Sequence, residues 1–236
     1  MLTICFNNLS NFTTTLGKAI QTPYPRYEEI GIKKADEFIQ LNTNILQIEN
    51  EYYSSVRPKR TAQSSETPRH ALNERGVEYI EVRCLDLNPF LPLGISAQQI
   101  DFMDIFLLYC LLKESPVISD AECRRLDGNF DLVVNEGRKP ALKLQKDGEQ
   151  IQLNEWSTHL LKDMKSIAEI LDQDQKDGRY QLALEEQTQK VQHTDLTPSA
   201  QVLTIMKQES LSWLDFAGEL SNKHKTTLSQ KTASSA

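Results

Sequence analysis

GVEYIEVRCLDLNPF, Gly76 to Phe90, is the stretch whose reading decides the fold. Val77, Tyr79, Glu81, Arg83 and Leu85 alternate with Glu78, Ile80, Val82, Cys84 and Asp86, which is the period of a β-strand. A strand places Glu81 and Arg83 on one face, with backbone positions about 6.6 Å apart. That separation suits a carboxylate for a divalent metal and a guanidinium for a phosphate, on either side of one ligand. It suits equally a solvated face whose charges pair with neighbouring strands. Ile80, Val82 and Cys84 are expected to pack into the core.

Working outward, LNTNILQIENEYYSSVRPKR, Leu41 to Arg60, also interleaves apolar residues with carboxylates, aromatics and cations. Ile39 to Tyr53 reads as a strand with a bulge or bend where Ile45 and Leu46 adjoin. The basic run Arg57, Lys59 and Arg60 can hold a small anion or form a solvated turn. Thr61 to Pro68 lacks apolar anchors and reads as a mobile loop.

The second half reads as helical. Ser96 opens SAQQIDFMDIFLLYCLLKES with Gln99 placed for a capping box, and its later turns are apolar on most sides. Asp101, Asp104 and Lys113 keep the apolar run well short of the roughly 20 residues of a membrane span, so a core helix is expected. Ser119 with Glu122 marks another start. Trp156, Leu160, Leu161, Met164, Ile167, Ala168 and Leu171 recur at helical spacing, and Thr197-Pro198 begins a helix with Val202, Ile205 and Met206 inward. The polar tail after Lys225 is expected to be disordered.

With 236 residues, 39% hydrophobic and 25% charged, the composition is that of a globular protein. A net charge of −7 argues against a general nucleic-acid role. Cys5, Cys84, Cys110 and Cys123 form no CxxC pair and are expected as reduced, buried thiols. The four histidines show no ligand spacing, and Gly137-Arg138-Lys139 lacks the upstream glycine of a phosphate loop. The N-terminus carries no signal-peptide pattern, and a cytoplasmic location is expected.

Gly76 to Phe90, together with LQIENEYY, VRPKR and EGRKPAL (Glu136 to Leu142), resembles the bacterial-type glutamate–cysteine ligase family, from about Phe6 to Lys223. The resemblance implies an α+β chain: part of a curved antiparallel sheet, a glutamine-synthetase-like funnel, followed by a helical C-terminal region. The chain's own organisation divides near Pro89 to Pro92, into a strand-rich part at 1–92, a helical part at 93–225 and a tail at 226–236. The resemblance also implies ATP-dependent joining of the glutamate γ-carboxylate to the cysteine amine through an acyl phosphate, the first step of glutathione synthesis, with magnesium or manganese. Matched residue by residue, Glu81 falls on a metal-binding glutamate, Arg83 on the arginine that contacts the transferred phosphoryl group, and Tyr53 on a tyrosine of the cysteine pocket. Arg57 and Lys59 are given a weaker role near the nucleotide. Family members extend further on the N-terminal side, so the chain resembles a C-terminal portion, expected to be inactive alone and to self-associate through an exposed sheet edge. A non-catalytic partner of a ligase and an anion-binding module are the alternatives. Neither a nucleic-acid nor a membrane partner is expected.

Overall fold

The computed structural model describes residues 4–175 and 177–233. It is an α+β chain in two compact units, Met1–Asp86 and Leu87–Ala236. In the first unit, α1 (Leu9–Ala19) is capped by the Asn8 side chain, which accepts from the Asn11 N–H. It turns Phe12, Leu16 and Ala19 onto Leu72 of α3 (Pro68–Arg75) and onto Ile4. A short helix α2 (Pro25–Ile30) and a two-residue ladder of β1 (Lys33–Lys34) with β2 (Glu37–Phe38) follow α1. Then β3 (Val56–Lys59) pairs antiparallel with β4 (Tyr79–Val82), the predicted strand.

The expected strand at 39–53 is not formed. An isolated bridge at Asn44 and a 3-10 turn at Glu49–Glu51 stand in its place. Side-chain amides and carboxylates there capture the local backbone: Asn44 donates to the Ile20 carbonyl at 2.6 Å, Asn42 to that of Gln47 at 3.0 Å, and Glu51 accepts from the Gln47 N–H at 2.6 Å. Such bonds compete directly with a ladder. Glu49 is buried and accepts from both the Arg69 N–H (2.9 Å) and its Nε (3.0 Å), so this turn is tied to the first turn of α3.

The loop Thr61–Pro68 is anchored rather than loose. Glu66 takes a two-pronged grip from Arg75, at 2.8 and 2.7 Å, and Arg75 also donates to the Thr61 carbonyl. Those bonds, with help from the Gln63 backbone and His70, hold the Glu66 carboxyl far below the usual carboxylate range. A depressed carboxylate stabilises the fold above its unfolded pKa, about 4.3, and that contribution fades as pH falls below it. Glu66→Gln should therefore lower the denaturation midpoint at pH 7. The gap from the parent chain, followed by circular dichroism, should close progressively below about pH 4; a gap independent of pH would refute this.

The second unit is built on α4 (Ala97–Leu112), α6 (Leu153–Gln175) and α7 (Arg179–Gln192). Ser96 and Gln99 complete the predicted capping box. Ile105 and Tyr109 meet Leu161, Met164 and Ala168 of α6 and Tyr180 and Leu184 of α7 in one core. Helix α4 buries only one side, and Leu111 and Leu112 at its end are exposed. Asp172, buried on α6, starts α7: its carboxylate accepts from the Tyr180 and Gln181 N–H groups at 3.1 and 3.0 Å. Burial pushes its pKa up, but these bonds outweigh that and the net shift is downward.

Helix α5 (Asp120–Glu136), capped by Ser119, leads to a hairpin of β5 (Lys143–Lys146) and β6 (Glu149–Gln152). Its turn, Asp147-Gly148, has positive φ at both residues, the geometry that Asp-Gly favours. Asn129 of α5 is buried and exchanges two bonds with the Gln145 backbone, 2.7 and 2.8 Å, as a neighbouring strand would.

Helix α8 (Pro198–Gln208) buries Val202, and α9 (Trp213–Ala233) buries Phe216. The expected disordered tail is helical through Ala233. Once Phe216 and the His224–Pro89 bond dock the helix, each further residue adds a bond at little entropic cost. Residues 234–236 lie outside the described set.

Among the described residues the antiparallel strands form three separate two-stranded ladders, and the first unit holds more helix than strand. Among the described residues no helix is long and apolar enough to cross a membrane. No disulfide links the four cysteines, but Cys84 and Cys110 are exposed and Cys5 and Cys123 half-buried, against the expectation of buried thiols.

Candidate functional site

The β3–β4 register sets the site. Arg57 lies opposite Glu81 and Lys59 opposite Tyr79, while the Arg83 N–H donates to the Ser55 carbonyl at 2.7 Å. Opposed residues in an antiparallel pair share a face. One face therefore carries Arg57, Lys59, Glu81 and Arg83, three cations around one carboxylate. The other carries Val56, Pro58, Ile80 and Val82.

Arg83 donates to Glu81 Oε1 at 2.8 Å, and its guanidinium stands 5.1 Å from the centre of the Tyr53 ring. Lys59 Nζ is 3.9 Å from Glu81 Oε2. The Arg83 hydrogen bond, aided by the charges of Lys59 and Arg57 and opposed by burial, holds the Glu81 carboxyl below its ordinary value. The same bond raises the Arg83 pKa. Four of the five predicted residues thus make direct contact through Arg83 and Glu81, and Arg57 faces Glu81 across the ladder. Tyr53 lies outside regular structure and is exposed.

Arg60 does not join them. It turns to the opposite face and pairs with Glu78 at 3.9 Å, which splits the basic run expected to act as one cluster. The expected packing of Ile80, Val82 and Cys84 into a core is also overturned. Ile80 is 46% exposed and Cys84 exposed, while Val82 is half-buried. Glu49, Glu66 and Arg75, which fix the turn before β3 and the connection to β4, were missed as positioning residues; their partners lie 9 to 20 positions away in sequence, beyond any local pattern.

Glu81 Oε2 is shielded from solvent and accepts no hydrogen bond. A carboxylate oxygen that accepts no hydrogen bond, with only the Lys59 ammonium 3.9 Å away, is a donor that a hard divalent cation takes, and magnesium commonly uses one or two carboxylates together with phosphate oxygens. No group of three or more metal-ligating side chains gathers among the described residues, so this face offers a single oxygen toward such an ion. An apolar hollow of about 360 Å³ between Leu87–Gly94 and α9 belongs to the second unit and contains none of these residues.

The arrangement is suited to polyanionic ligands: two cationic charges in excess of one carboxylate, a planar guanidinium held in orientation from two sides, and an aromatic ring beside it. The family model for glutamate–cysteine ligase matches residues 1–133. The glutamate–cysteine ligase of Pseudomonas putida KT2440 is 48% identical over 233 residues, covering 99% of this chain and 44% of the relative. That of Pseudomonas fluorescens Pf-5 is 47% identical with the same coverage. The chain thus spans less than half the length of the curated relatives it matches.

A crystal structure of the glutamate–cysteine ligase from Francisella tularensis in complex with AMP matches with a TM-score of 0.87 and 34% identity, over 96% of this chain and 45% of that one. A bifunctional glutathione synthetase from Pasteurella multocida, 15% identical with a TM-score of 0.60, shares the fold alone. Motif order, ladder geometry and more than half of the chain under one family model converge: the chain belongs to the glutamate–cysteine ligase family.

Proposed function

We propose that this chain is the part of an ATP-dependent glutamate–cysteine ligase that supplies the phosphate-facing side of the active site, in the cytoplasm. In this reading the glutamate γ-carboxylate attacks the γ-phosphorus of ATP and ADP leaves. The cysteine amine then attacks the acyl carbon, phosphate departs and the amine loses a proton. The observation that supports it is the single face on which Arg57, Lys59 and Arg83 surround Glu81, in a chain whose family relatives are ligases.

Arg83 carries the transferred group's charge through a planar fork, and Glu81 and the Tyr53 ring fix the fork's orientation. Arg57 and Lys59 attract the nucleotide phosphates, and Tyr53 offers the cysteine substrate an apolar wall with a hydroxyl. Glu81 would contribute one oxygen to magnesium or manganese, which supplies charge neutralisation between phosphates. The remaining ligands would come from the part of the ligase that this chain does not span. Catalysis of this kind rests on positioning and electrostatics rather than on a protein nucleophile.

The test is ADP release with ATP, magnesium, glutamate and cysteine, run with the chain alone and with the remaining part of the Pseudomonas putida relative added. Release that depends on both amino acids and on the mixture is expected. Silence in both arms would leave a non-catalytic partner of a ligase as the better reading, and release by the chain alone would contradict the shared site.

A further inference from the structure

Helix α5 turns its polar side inward and its apolar side out. Its single buried residue is Asn129, which spends its amide on the β5 backbone, while Leu126, Phe130, Val133 and Val134 are exposed. These four stand at i, i+4, i+7 and i+8, so at about 100° per residue they line up as one apolar stripe, set to one side of Asn129 and the hairpin. Phe130 is 53% and Val134 66% exposed. Helices in proteins are stabilised mainly by packing such a stripe against a neighbour, and this one packs an amide instead.

Charge along the stripe indicates what would cover it. Asp120, Asp127 and Asp131, at i, i+7 and i+11, form a ridge along the border of the stripe that lies away from β5. The ion pair made by α5 among the described residues is that of Glu136 with Lys139 at the far end, so the ridge stays unpaired even with Arg124 beside it. A covering helix with lysine or arginine along its matching flank would pair with the ridge while its own apolar stripe meets Phe130 and Val134. A second copy packed antiparallel on this face would set Asp127 and Asp131 against their own counterparts. More than half the length of the family relatives lies outside the span of this chain and is available to supply the helix.

We propose that the exposed stripe of α5 is a docking face for an amphipathic helix from the part of the ligase that this chain does not span, one with a basic flank laid along Asp127 and Asp131. This rests on the reading of the chain as part of a larger ligase, and extends it by naming the face, the anchors and the charge of the partner.

Hydroxyl-radical footprinting of the full chain, with and without the remaining part of the Pseudomonas putida relative, tests it. Oxidation of Phe130 and Val134 is expected to fall roughly 5-fold in the mixture, as buried interface side chains lose contact with water. Phe130→Asp should weaken association roughly 100-fold, the loss typical of a central anchor, with the helical circular dichroism unchanged. Gly128→Asp adds the same charge on the opposite side of α5, where a Cβ meets nothing within 4 Å, and should associate like the parent chain. Asp127→Asn combined with Asp131→Asn should weaken association about 10-fold at low salt and flatten its salt dependence.

Association with Phe130 still open to oxidation, or equal loss from Gly128→Asp, would overturn the assignment of the face; no association would overturn the docking site altogether. Association untouched by the paired asparagine changes would overturn the basic flank. Protection of Phe130 that rises with the concentration of the chain alone would give the face to a second copy and overturn the stated occupant. Footprints are read without turnover. A mixture that covers Phe130 but releases no ADP would therefore overturn the ligase reading and keep the docking face, and ADP release with Phe130 uncovered would do the reverse.

Discussion

Replacing Arg83 by alanine in the assembled ligase is expected to lower kcat by about 10²- to 10³-fold, the range seen when one preorganised charge-stabilising donor is removed. KM for glutamate should change far less. The guanidinium is held from two sides, by Glu81 at 2.8 Å and by the Tyr53 ring at 5.1 Å, so its direction is set before any ligand arrives. Truncation removes both the fork and the charge. It also frees Glu81, which loses the main cause of its lowered pKa. Arg83→Lys should recover only a small part of the rate, because a point charge cannot reproduce the fork or stack on the ring. Steady-state kinetics on the complex decides this; an unchanged kcat for Arg83→Lys would remove Arg83 from the proposed role.

The largest loss of stability is expected from Ile105→Ala. Ile105 is fully buried where α4, α6 and α7 meet, against Met164, which is 2% exposed, and Ala168. Truncating an isoleucine at such a site costs about 2–5 kcal/mol, the transfer of the lost methyl groups plus the cavity left behind. The upper half of that range applies here, since the surrounding helices are locked to one another: Asp172 of α6 carries the first turn of α7, and Arg179 of α7 pairs with Asp101 of α4. The wall is poorly placed to collapse into the void. Urea denaturation followed by circular dichroism measures it. A loss below about 1 kcal/mol would show that the three helices can repack.

Much of this architecture is legible in sequence, for identifiable reasons. The alternation at Tyr79–Val82 gives β4 and the shared face of Glu81 and Arg83, because a period of two admits no other arrangement in a strand. Ser96 with Gln99 marks a true helix start because capping is a contact between near neighbours, and Thr197-Pro198 marks another because proline's fixed φ suits the first helical position. The stripe from Leu160 to Leu171 faces the core of the second unit as its spacing requires.

The failures have a common physical origin in partners that sequence does not bring together. Residues 39–53 alternate like a strand, but Asn42, Asn44 and Glu51 spend the backbone groups a ladder would need. Ile80 reads as core, yet burial belongs to the layer above it and not to the residue. The grip of Arg75 on Glu66 converts a loop that looks mobile into an anchored one. The β5–β6 hairpin is announced by Asp147-Gly148, a local turn signal that lies outside the family motifs. For the candidate site, alternation puts Glu81 and Arg83 on one face, as the register has them; the turn of Arg60 away from that face follows only from the register.

The ladder that carries the site closes over a short reach of chain. Its widest cross-strand bond joins Ser55 to Arg83, and the residues between them include their own anchor, α3 with Thr67 at its cap and Glu66 held by Arg75. Contacts of such short separation form quickly and lose little loop entropy. During synthesis, the cationic face can therefore assemble as soon as Arg83 leaves the ribosome, before any helix of the second unit has been made. Mutations in α4, α6 or α7 should then lower the yield of folded chain while leaving the early protection of the Glu81 amide intact, a separation that pulse-labelled refolding would reveal.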